Sequence, residues 1–175
     1  ECNFSEVSTK TKFLGVDCSM PLLISCMTGG YPDAERINRE LAEACETLKL
    51  PMGVGSQRQA LENTSFHRSF QIVRESAPSI PILGNIGAPE VAKMRSSSPI
   101  QRLIDLIAAN ALVIHLNPLQ ELLQPEGSPN FRGVLNGIEQ LVKELEIPVI
   151  VKEVGAGISG DVAKRLLSVG VSGID

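Results

Sequence analysis

Aromatic and metal-binding side chains are scarce in this sequence of 175 residues. Tryptophan is absent, tyrosine occurs once and phenylalanine five times, so the aromatic platforms that stack single-stranded nucleic acid are poorly supplied. The two histidines and four cysteines include no CxxC pair, which argues against a zinc site of the usual spacing. The net charge of −4 argues against a broad polyanion-binding surface, although one or two cations suffice for a single phosphate.

Long apolar runs and a targeting segment are also missing. No apolar stretch approaches the roughly 20 residues of a membrane span, and no signal peptide opens the chain, so we expect a cytoplasmic protein without a membrane partner. Cys26 lies in an apolar run, and we expect the cysteines to be buried free thiols. Because the chain opens on Glu1 and its last four residues are typical of the start of a strand, we interpret it as a piece of a longer polypeptide.

The remaining composition is that of an ordinary globular domain with a core, since 43% of residues are hydrophobic, 21% are charged and the mean hydropathy is +0.10. Short apolar runs recur about every 30 residues, with one longer gap. They cover residues 22–27, 52–55, 82–86, 112–116 and 149–154, and a sixth begins near Gly173. Each run is continuous rather than alternating, which is typical of strands covered on both faces.

The segments between the runs have apolar residues at helical spacing. These segments are 33–48, 65–74, 100–108, 133–145 and 159–169, the last beginning at a Ser N-cap and ending at Gly170. Strands alternating with helices form βαβ units, which both the doubly wound sheet and the (β/α)8 barrel use, and the periodicity alone favours neither. We expect an α/β fold, a TIM barrel truncated to strands 1–5 and the start of strand 6. An open six-stranded sheet is the alternative.

The expected organisation is a single partial domain over residues 1–175. Residues 1–20 are interpreted as a leading segment or small hairpin, and residues 21–175 as the βα units. Functional residues of such folds collect at the carboxyl ends of the strands. The candidate residues at these ends are Met27, Thr28 and Gly29, then Ser56, Gln57 and Arg58, then Asn85, then His115, Asn117, Gln120 and Glu121, and finally Lys152.

Each of these candidates has a structural explanation beside the functional one. Arg58 can grip a phosphate with two donors, but a surface arginine is equally compatible with its place. Asn85 is either a satisfied structural amide or a partner for a ligand amide. Lys152 interrupts an apolar run, and a buried lysine needs either an internal ion pair or an anionic ligand.

The end of the fourth run is the richest in polar groups. His115 and Asn117 alternate with apolar residues and therefore share one strand face, while Gln120 and Glu121 follow within four residues. A single buried histidine is commonly a satisfied core residue, but this concentration of polar groups favours a site. Glu121 is a candidate oxygen ligand for Mg²⁺.

Taken in this order, the strand ends resemble those of the type 2 isopentenyl-diphosphate isomerases. The matching strings are Met27-Thr28-Gly29-Gly30, Gly55-Ser56-Gln57-Arg58, Gly84-Asn85-Ile86-Gly87-Ala88, His115-Leu116-Asn117-Pro118-Leu119-Gln120-Glu121 and Val151-Lys152-Glu153-Val154-Gly155. The fourth string is the most specific. The resemblance implies a (β/α)8 barrel that binds FMN, needs Mg²⁺ and has its flavin reduced by NADPH. It implies interconversion of isopentenyl and dimethylallyl diphosphate without net oxidation, and a homo-oligomer, a tetramer or larger.

The resemblance also implies a role for each matching residue. It assigns the flavin to Met27, Thr28, Gly29, Ser56, Asn85 and Lys152, the substrate to Ser56, Gln57, Arg58 and Gln120, catalysis to His115, Asn117, Gln120 and Lys152, and the metal to Glu121. The family's basic N-terminal residues and its last two strands have no counterpart in this chain, which leaves the FMN phosphate without an expected anchor. The alternatives are another FMN-dependent barrel oxidoreductase, which would lack the string from Asn117 to Glu121, and a non-catalytic barrel fragment.

Overall fold

The computed structural model describes residues 2–125 and 127–175. The strands among them are β1 (Thr11–Phe13), β2 (Val16–Cys18), β3 (Met52–Gly53), β4 (Ile82–Gly87), β5 (Ala111–Leu116), β6 (Val149–Glu153) and β7 (Gly173–Ile174). The α-helices are α1 (Ala34–Leu48), α2 (Arg58–Glu62), α3 (His67–Ser76), α4 (Ala88–Lys93), α5 (Ser98–Ile107), α6 (Pro118–Leu123), α7 (Val134–Glu144) and α8 (Gly160–Ser168).

The main sheet is parallel and keeps the order of the chain. Its strands run β3-β4-β5-β6-β7, and every neighbouring pair is parallel. The described strands therefore contain no reversal of order, such as the one that defines a doubly wound sheet. Successive parallel neighbours joined by helices are instead the arrangement of a (β/α)8 barrel wall.

The two faces of the sheet differ in what they bury. Alternate residues of β4 and β5, such as Ile86 and Ile114, are fully buried in the large core beneath the helices. Helix α1 packs on α3, and α3 packs on α5. The opposite face holds a smaller cluster around Leu83 and Val113, and its next residues toward the carboxyl end are polar. This alternation fixes which side chains can reach a ligand.

A short hairpin covers the amino-terminal end of the smaller cluster. Strands β1 and β2 are antiparallel, and their two-residue turn places Leu14 at φ 49° and Gly15 at φ 79°. Positive φ at both central residues is the geometry that matches the twist of a two-residue hairpin. Phe13 and Leu14 pack against the sheet. A small hairpin was one of the two expectations for this segment.

Several local expectations were wrong. Residues 22–27 form no strand, and this segment meets β3 through a single bridge from Ile24 to Met52. The physical reason is that only the two-residue β3 flanks it, so Leu22 stays 59% exposed. The short helices α2, α4 and α6 were not predicted from the sequence, and Cys2, which was expected to be buried, is exposed. All four cysteines are free, as expected.

Arg74 ties together two loops at the end of the sheet where β4 and β5 begin. Its guanidinium donates to the carbonyl oxygens of residues 77, 78 and 80 in one loop and of residues 107 and 108 in the other. It also donates to Asn110 Oδ1 at 2.8 Å, and that oxygen accepts from the Ile82 N–H at 2.9 Å. The guanidinium of Arg74 therefore joins the two loops at this end of the sheet. None of the described helices combines the length and apolar content needed to cross a bilayer.

Candidate functional site

A polar cavity of about 600 Å³ opens at the carboxyl ends of β4 and β5. We refer to it as the polar cavity. Its walls come from the loop after residue 26, from α2, from the start of α4 and from the β5–α6 junction. The lining residues are Met27, Gly29, Ser56, Arg58, Gln59, Glu90, His115, Asn117, Gln120, Glu121 and Gln124. Candidate residues from three of the five strand ends, those that begin at Met27, Ser56 and His115, thus line one space.

The β5–α6 junction aims its polar side chains by an abrupt change of backbone. Strand β5 ends at Leu116, Asn117 adopts φ −136° and ψ 50°, and Pro118 begins helix α6. Proline is suited to a first helical turn because that turn leaves N–H groups unpaired in any case. One turn of helix then brings Gln120 and Glu121 back beside Asn117.

Asn117 and Glu121 form a buried pair at the centre of this junction. The Asn117 amide donates to Glu121 Oε1 at 3.0 Å, and the Ser128 N–H donates to Glu121 Oε2 at 2.7 Å. Burial opposes ionisation, but these two donors hold the pKa of Glu121 below its usual value. Glu121 is 5% exposed and remains a carboxylate with free lone pairs.

Asn117 Oδ1 has no hydrogen-bond partner, although it is buried. A buried unpaired oxygen costs free energy unless a ligand satisfies it. The amide nitrogen of the same side chain faces the Glu121 carboxylate, and the described residues contain no cluster of three metal-ligating side chains. Magnesium is commonly held by one or two carboxylates together with substrate phosphates. The donor set therefore fits a Mg²⁺ that arrives with a phosphate ligand.

His115 lies on the sheet face away from the helices, between Asn85 on β4 and Lys152 on β6. Its Nδ1 is 2.9 Å from Asn85 Oδ1, and it pairs in register with Lys152. Burial, with the Lys152 cation adding to it, lowers the pKa of His115 to about 4. The ring is neutral near pH 7, and since Asn85 Oδ1 can only accept, Nδ1 carries the proton and Nε2 is a free acceptor.

Arg58 stands between two carboxylates. Its Nε is 3.6 Å from Glu62 on the same helix, and its Nη1 is 4.0 Å from Glu90 on α4. The Glu62 side chain is 66% exposed, whereas that of Glu90 is 16% exposed. Arg58 itself remains one-third exposed, so it can reach a ligand in the polar cavity.

Lys152 faces a second, smaller cavity of about 260 Å³ on the same sheet face. Its ammonium group donates to the Glu153 carbonyl oxygen at 2.9 Å and lies 3.9 Å from Asp175. Cys26 and Val113 also line this cavity, and burial raises the pKa of Cys26 to about 12, so it is a neutral thiol. Lys152 thus has an ion-pair partner, which was the structural alternative, and it also faces open space.

Eight of the twelve predicted site residues line the polar cavity, and the other four do not. Gln57 is fully buried, with its amide donating to the Leu103 carbonyl and accepting from the Asn85 N–H. This geometry does not support its expected contact with a substrate, because the nitrogen and the oxygen of its side-chain amide are both hydrogen-bonded inside the protein. Thr28 is held through its carbonyl oxygen, which accepts from the Gly55 N–H and from Asn38. Asn85 and Lys152 lie beside the cavity on the sheet.

Three residues of the polar cavity were not predicted from the sequence. They are Gln59, Glu90 and Gln124. Each belongs to, or directly follows, one of the short helices α2, α4 and α6, which are the next elements after β3, β4 and β5. A signal for Glu90 was present, because it lies three residues after the glycine that ends β4, at the position where the first turn of a following helix returns to the strand end.

The comparisons with known proteins give close sequence relatives. The chain is 54% identical over all 175 residues to the isopentenyl-diphosphate delta-isomerase of Chlorobaculum parvum, of which it covers 49%. It is 48% identical over all 175 residues to that of Pseudescherichia vulneris, of which it covers 50%. The chain therefore spans about half the length of the curated relatives it matches. No protein-family model matches it.

Solved structures agree with the fold. A lactate oxidase from Pediococcus acidilactici covers 99% of the chain with a TM-score of 0.68 at 13% identity, and 52% of that protein is matched. A mandelate oxidase variant with a monooxide FMN adduct covers 98% with a TM-score of 0.63 at 13% identity, and 51% of it is matched. At this identity the likeness concerns the fold alone, which is the wall of a TIM barrel. The whole chain is thus similar to a segment that makes up about half the length of proteins named isopentenyl-diphosphate delta-isomerase.

Proposed function

We propose that this chain carries the substrate-binding side of a type 2, FMN-dependent isopentenyl-diphosphate isomerase. The observation that supports it most directly is the convergence of Arg58, Gln120 and Glu121 on one polar cavity. The sequence relatives that bear the isomerase name supply the substrate class. A cytoplasmic homo-oligomer whose flavin is reduced by NADPH belongs to the same proposal.

The diphosphate end of the substrate would be held at Arg58 and Glu121. A guanidinium offers two parallel donors to phosphate oxygens, and Mg²⁺ would neutralise further phosphate charge when bound by the Glu121 carboxylate. The diphosphate does not react. Binding energy from this remote end instead orients the alkene, which converts binding into a lower barrier.

Residues of the polar cavity and of the neighbouring sheet face would hold the flavin. Gly55 lets the loop after residue 26 pack closely on the chain after β3, since a Cβ on Gly55 would stand 2.6 Å from the Thr28 carbonyl carbon, whereas a Cβ on Gly29 would clash with the Phe70 ring. The residues proposed to face the ring system are Met27, Thr28, Gly29, Ser56, Asn85 and Lys152. The reduced flavin, when bound, supplies negative charge and a proton-carrying nitrogen beside the alkene. The Lys152 ammonium would stabilise that charge.

The chain's own residues limit how protons move in the cavity. Moving the double bond requires a proton to be added at one carbon and removed from another. Neutral His115, with Nδ1–H bound to Asn85 and Nε2 free, is suited to accept a hydrogen bond rather than to act as a strong acid near pH 7. Gln120 can orient a proton but is a very weak acid, so it is not the sole catalyst.

An anaerobic assay tests this proposal. The full-length polypeptide with FMN, NADPH and Mg²⁺ is expected to form dimethylallyl diphosphate from isopentenyl diphosphate, and to retain a bound yellow flavin through gel filtration. A coloured preparation without isomer formation would contradict the isomerase and point to another FMN-dependent oxidoreductase. A preparation that stays colourless with added FMN would point to a non-catalytic barrel.

Replacing Lys152 with alanine is expected to weaken FMN retention, because the reduced flavin loses a partly buried cation next to its ring. A roughly tenfold rise in the Kd of reduced FMN corresponds to about 1.4 kcal/mol, and anaerobic titration of the apoprotein with reduced FMN, followed by absorbance, measures it. Arg165→Ala on α8, where the side chain lies beside the apolar residues of a different cavity, is the matched control. Equal flavin affinity and rate in Lys152→Ala and wild type would contradict the assigned role.

A further inference from the structure

Glu90 gives the polar cavity a second carboxylate, which the proposed function does not use. It lies in the first turn of α4, three residues after the glycine that ends β4. A Cβ placed on Gly87 would stand 2.5 Å from Glu90 Oε2 and 3.3 Å from His115 Nε2. The missing side chain at position 87 therefore leaves a space over which Glu90 and His115 both lie.

The charges around Glu90 come from each of the neighbouring elements. Burial has the largest effect on the Glu90 carboxylate and raises its pKa. Glu121 on α6 also raises this pKa, whereas Arg58 on α2 and Lys93 on α4 lower it. His115 on β5 is neutral near pH 7. Of the described residues that line the cavity, Arg58 is cationic and Glu90 and Glu121 are acidic. With both acids ionised, the cavity lining carries one net negative charge.

A cavity whose lining carries one net negative charge disfavours binding of an anion that has no metal ion bound to it. A polyphosphate entering alone gains one cation in Arg58 but meets two partly buried carboxylates, and like charges in such a site repel strongly. A divalent cation bound with the anion reverses the balance, because each carboxylate then faces positive charge. The arrangement distinguishes a metal–diphosphate complex from the free diphosphate.

We propose that Glu90 makes anion binding in the polar cavity depend on a divalent cation. This inference rests on the proposed function, which supplies a diphosphate at Arg58 and Mg²⁺ at Glu121. Glu90 pairs with Arg58 when no ligand is present and excludes metal-free anions that would otherwise occupy the guanidinium. It acts through its charge on Arg58 and on the diphosphate, so it is a positioning residue for the diphosphate.

The chain offers a matched control in Glu62. Its carboxylate is closer to Arg58 than that of Glu90, at 3.6 Å against 4.0 Å, but its side chain is 66% exposed instead of 16%. Replacing either acid with glutamine removes one charge beside the same guanidinium. Only the charge of the partly buried Glu90 is expected to affect anion binding strongly, since solvent and salt screen the charge of the exposed Glu62.

The test is a titration of the FMN-loaded full-length protein with inorganic pyrophosphate, once with Mg²⁺ and once with EDTA in its place. The measured quantity is the ratio of the pyrophosphate Kd in EDTA to the Kd in Mg²⁺. We expect Glu90→Gln to lower this ratio roughly tenfold, chiefly because metal-free pyrophosphate binds more tightly. Glu62→Gln is expected to leave the ratio within about twofold of wild type. Glu90→Ala, measured in parallel, should lower the ratio like Glu90→Gln.

The possible outcomes separate the two proposals. If Glu90→Gln and Glu90→Ala give the same ratio as Glu62→Gln, the inference is wrong, whereas the isomerase proposal is untouched. If wild-type protein binds no pyrophosphate even with Mg²⁺, the diphosphate site at Arg58 is wrong and the inference fails with it. Only a lowered ratio confined to the Glu90 variants supports a role for Glu90 in excluding metal-free anions.

Discussion

Glu121→Gln is expected to lower kcat/KM for isomerisation by about 100-fold and to remove most of the dependence of the rate on Mg²⁺. Glutamine keeps the shape of the side chain and one carbonyl oxygen, so the Ser128 N–H can still find an acceptor. What is lost is the negative charge that a hard divalent cation requires. Glu121 is 5% exposed, and water cannot readily replace the missing carboxylate.

Rates measured across a Mg²⁺ series in the reduced, FMN-loaded protein check this expectation. Glu139→Gln on α7, an exposed acid paired with Lys143, is the control and should behave as wild type. A Glu121→Gln enzyme within tenfold of wild type, with an unchanged Mg²⁺ dependence, would remove Glu121 from the metal site. Circular dichroism of the variant separates a lost ligand from a lost fold.

Much of the fold was predictable because burial leaves a periodic record in the sequence. Five apolar runs correspond to β3, β4, β5, β6 and β7, and the N-cap at Ser159 does accept from the Val162 N–H. The strand predicted over residues 22–27 did not form. Apolar content shows only what a segment tends to bury, and this segment lies at the edge of the sheet, where β3 is its single neighbouring strand. The choice between a barrel and an open sheet needed the strand order, which sequence periodicity does not contain.

The site was predictable where chemistry follows a strand directly, as in the junction from His115 to Glu121. It was not predictable where tertiary contacts decide. Gln57 follows a strand as closely as Arg58 does, yet its amide bonds to Leu103 and Asn85 inside the core. Glu90 lies on a helix too short to show periodicity, so its spacing from the end of β4 was the one signal, and the structure shows that it faces the polar cavity.

The amino-terminal end of the sheet, opposite the polar cavity, should contribute to stability and not to catalysis. Arg74 lies at this end and tests that separation. Arg74→Met is expected to lower the free energy of unfolding by about 3 kcal/mol. Methionine can keep the contacts of the aliphatic stem, but five carbonyl oxygens and Asn110 lose a charged donor. Partly buried acceptors left unpaired make the loss larger than that of one ordinary hydrogen bond.

Arg68→Met is the matched control, because Arg68 lies on the same helix but forms exposed ion pairs with Glu35 and Glu75, and such pairs contribute little. Urea unfolding of both variants measures the difference. Because Arg74 lies at the amino-terminal ends of β4 and β5, away from the polar cavity, folded Arg74→Met protein should keep the wild-type isomerisation rate. In a barrel the two ends of the strands divide stability from catalysis. A variant as stable as wild type, or one that is folded but inactive, would contradict that division in this protein.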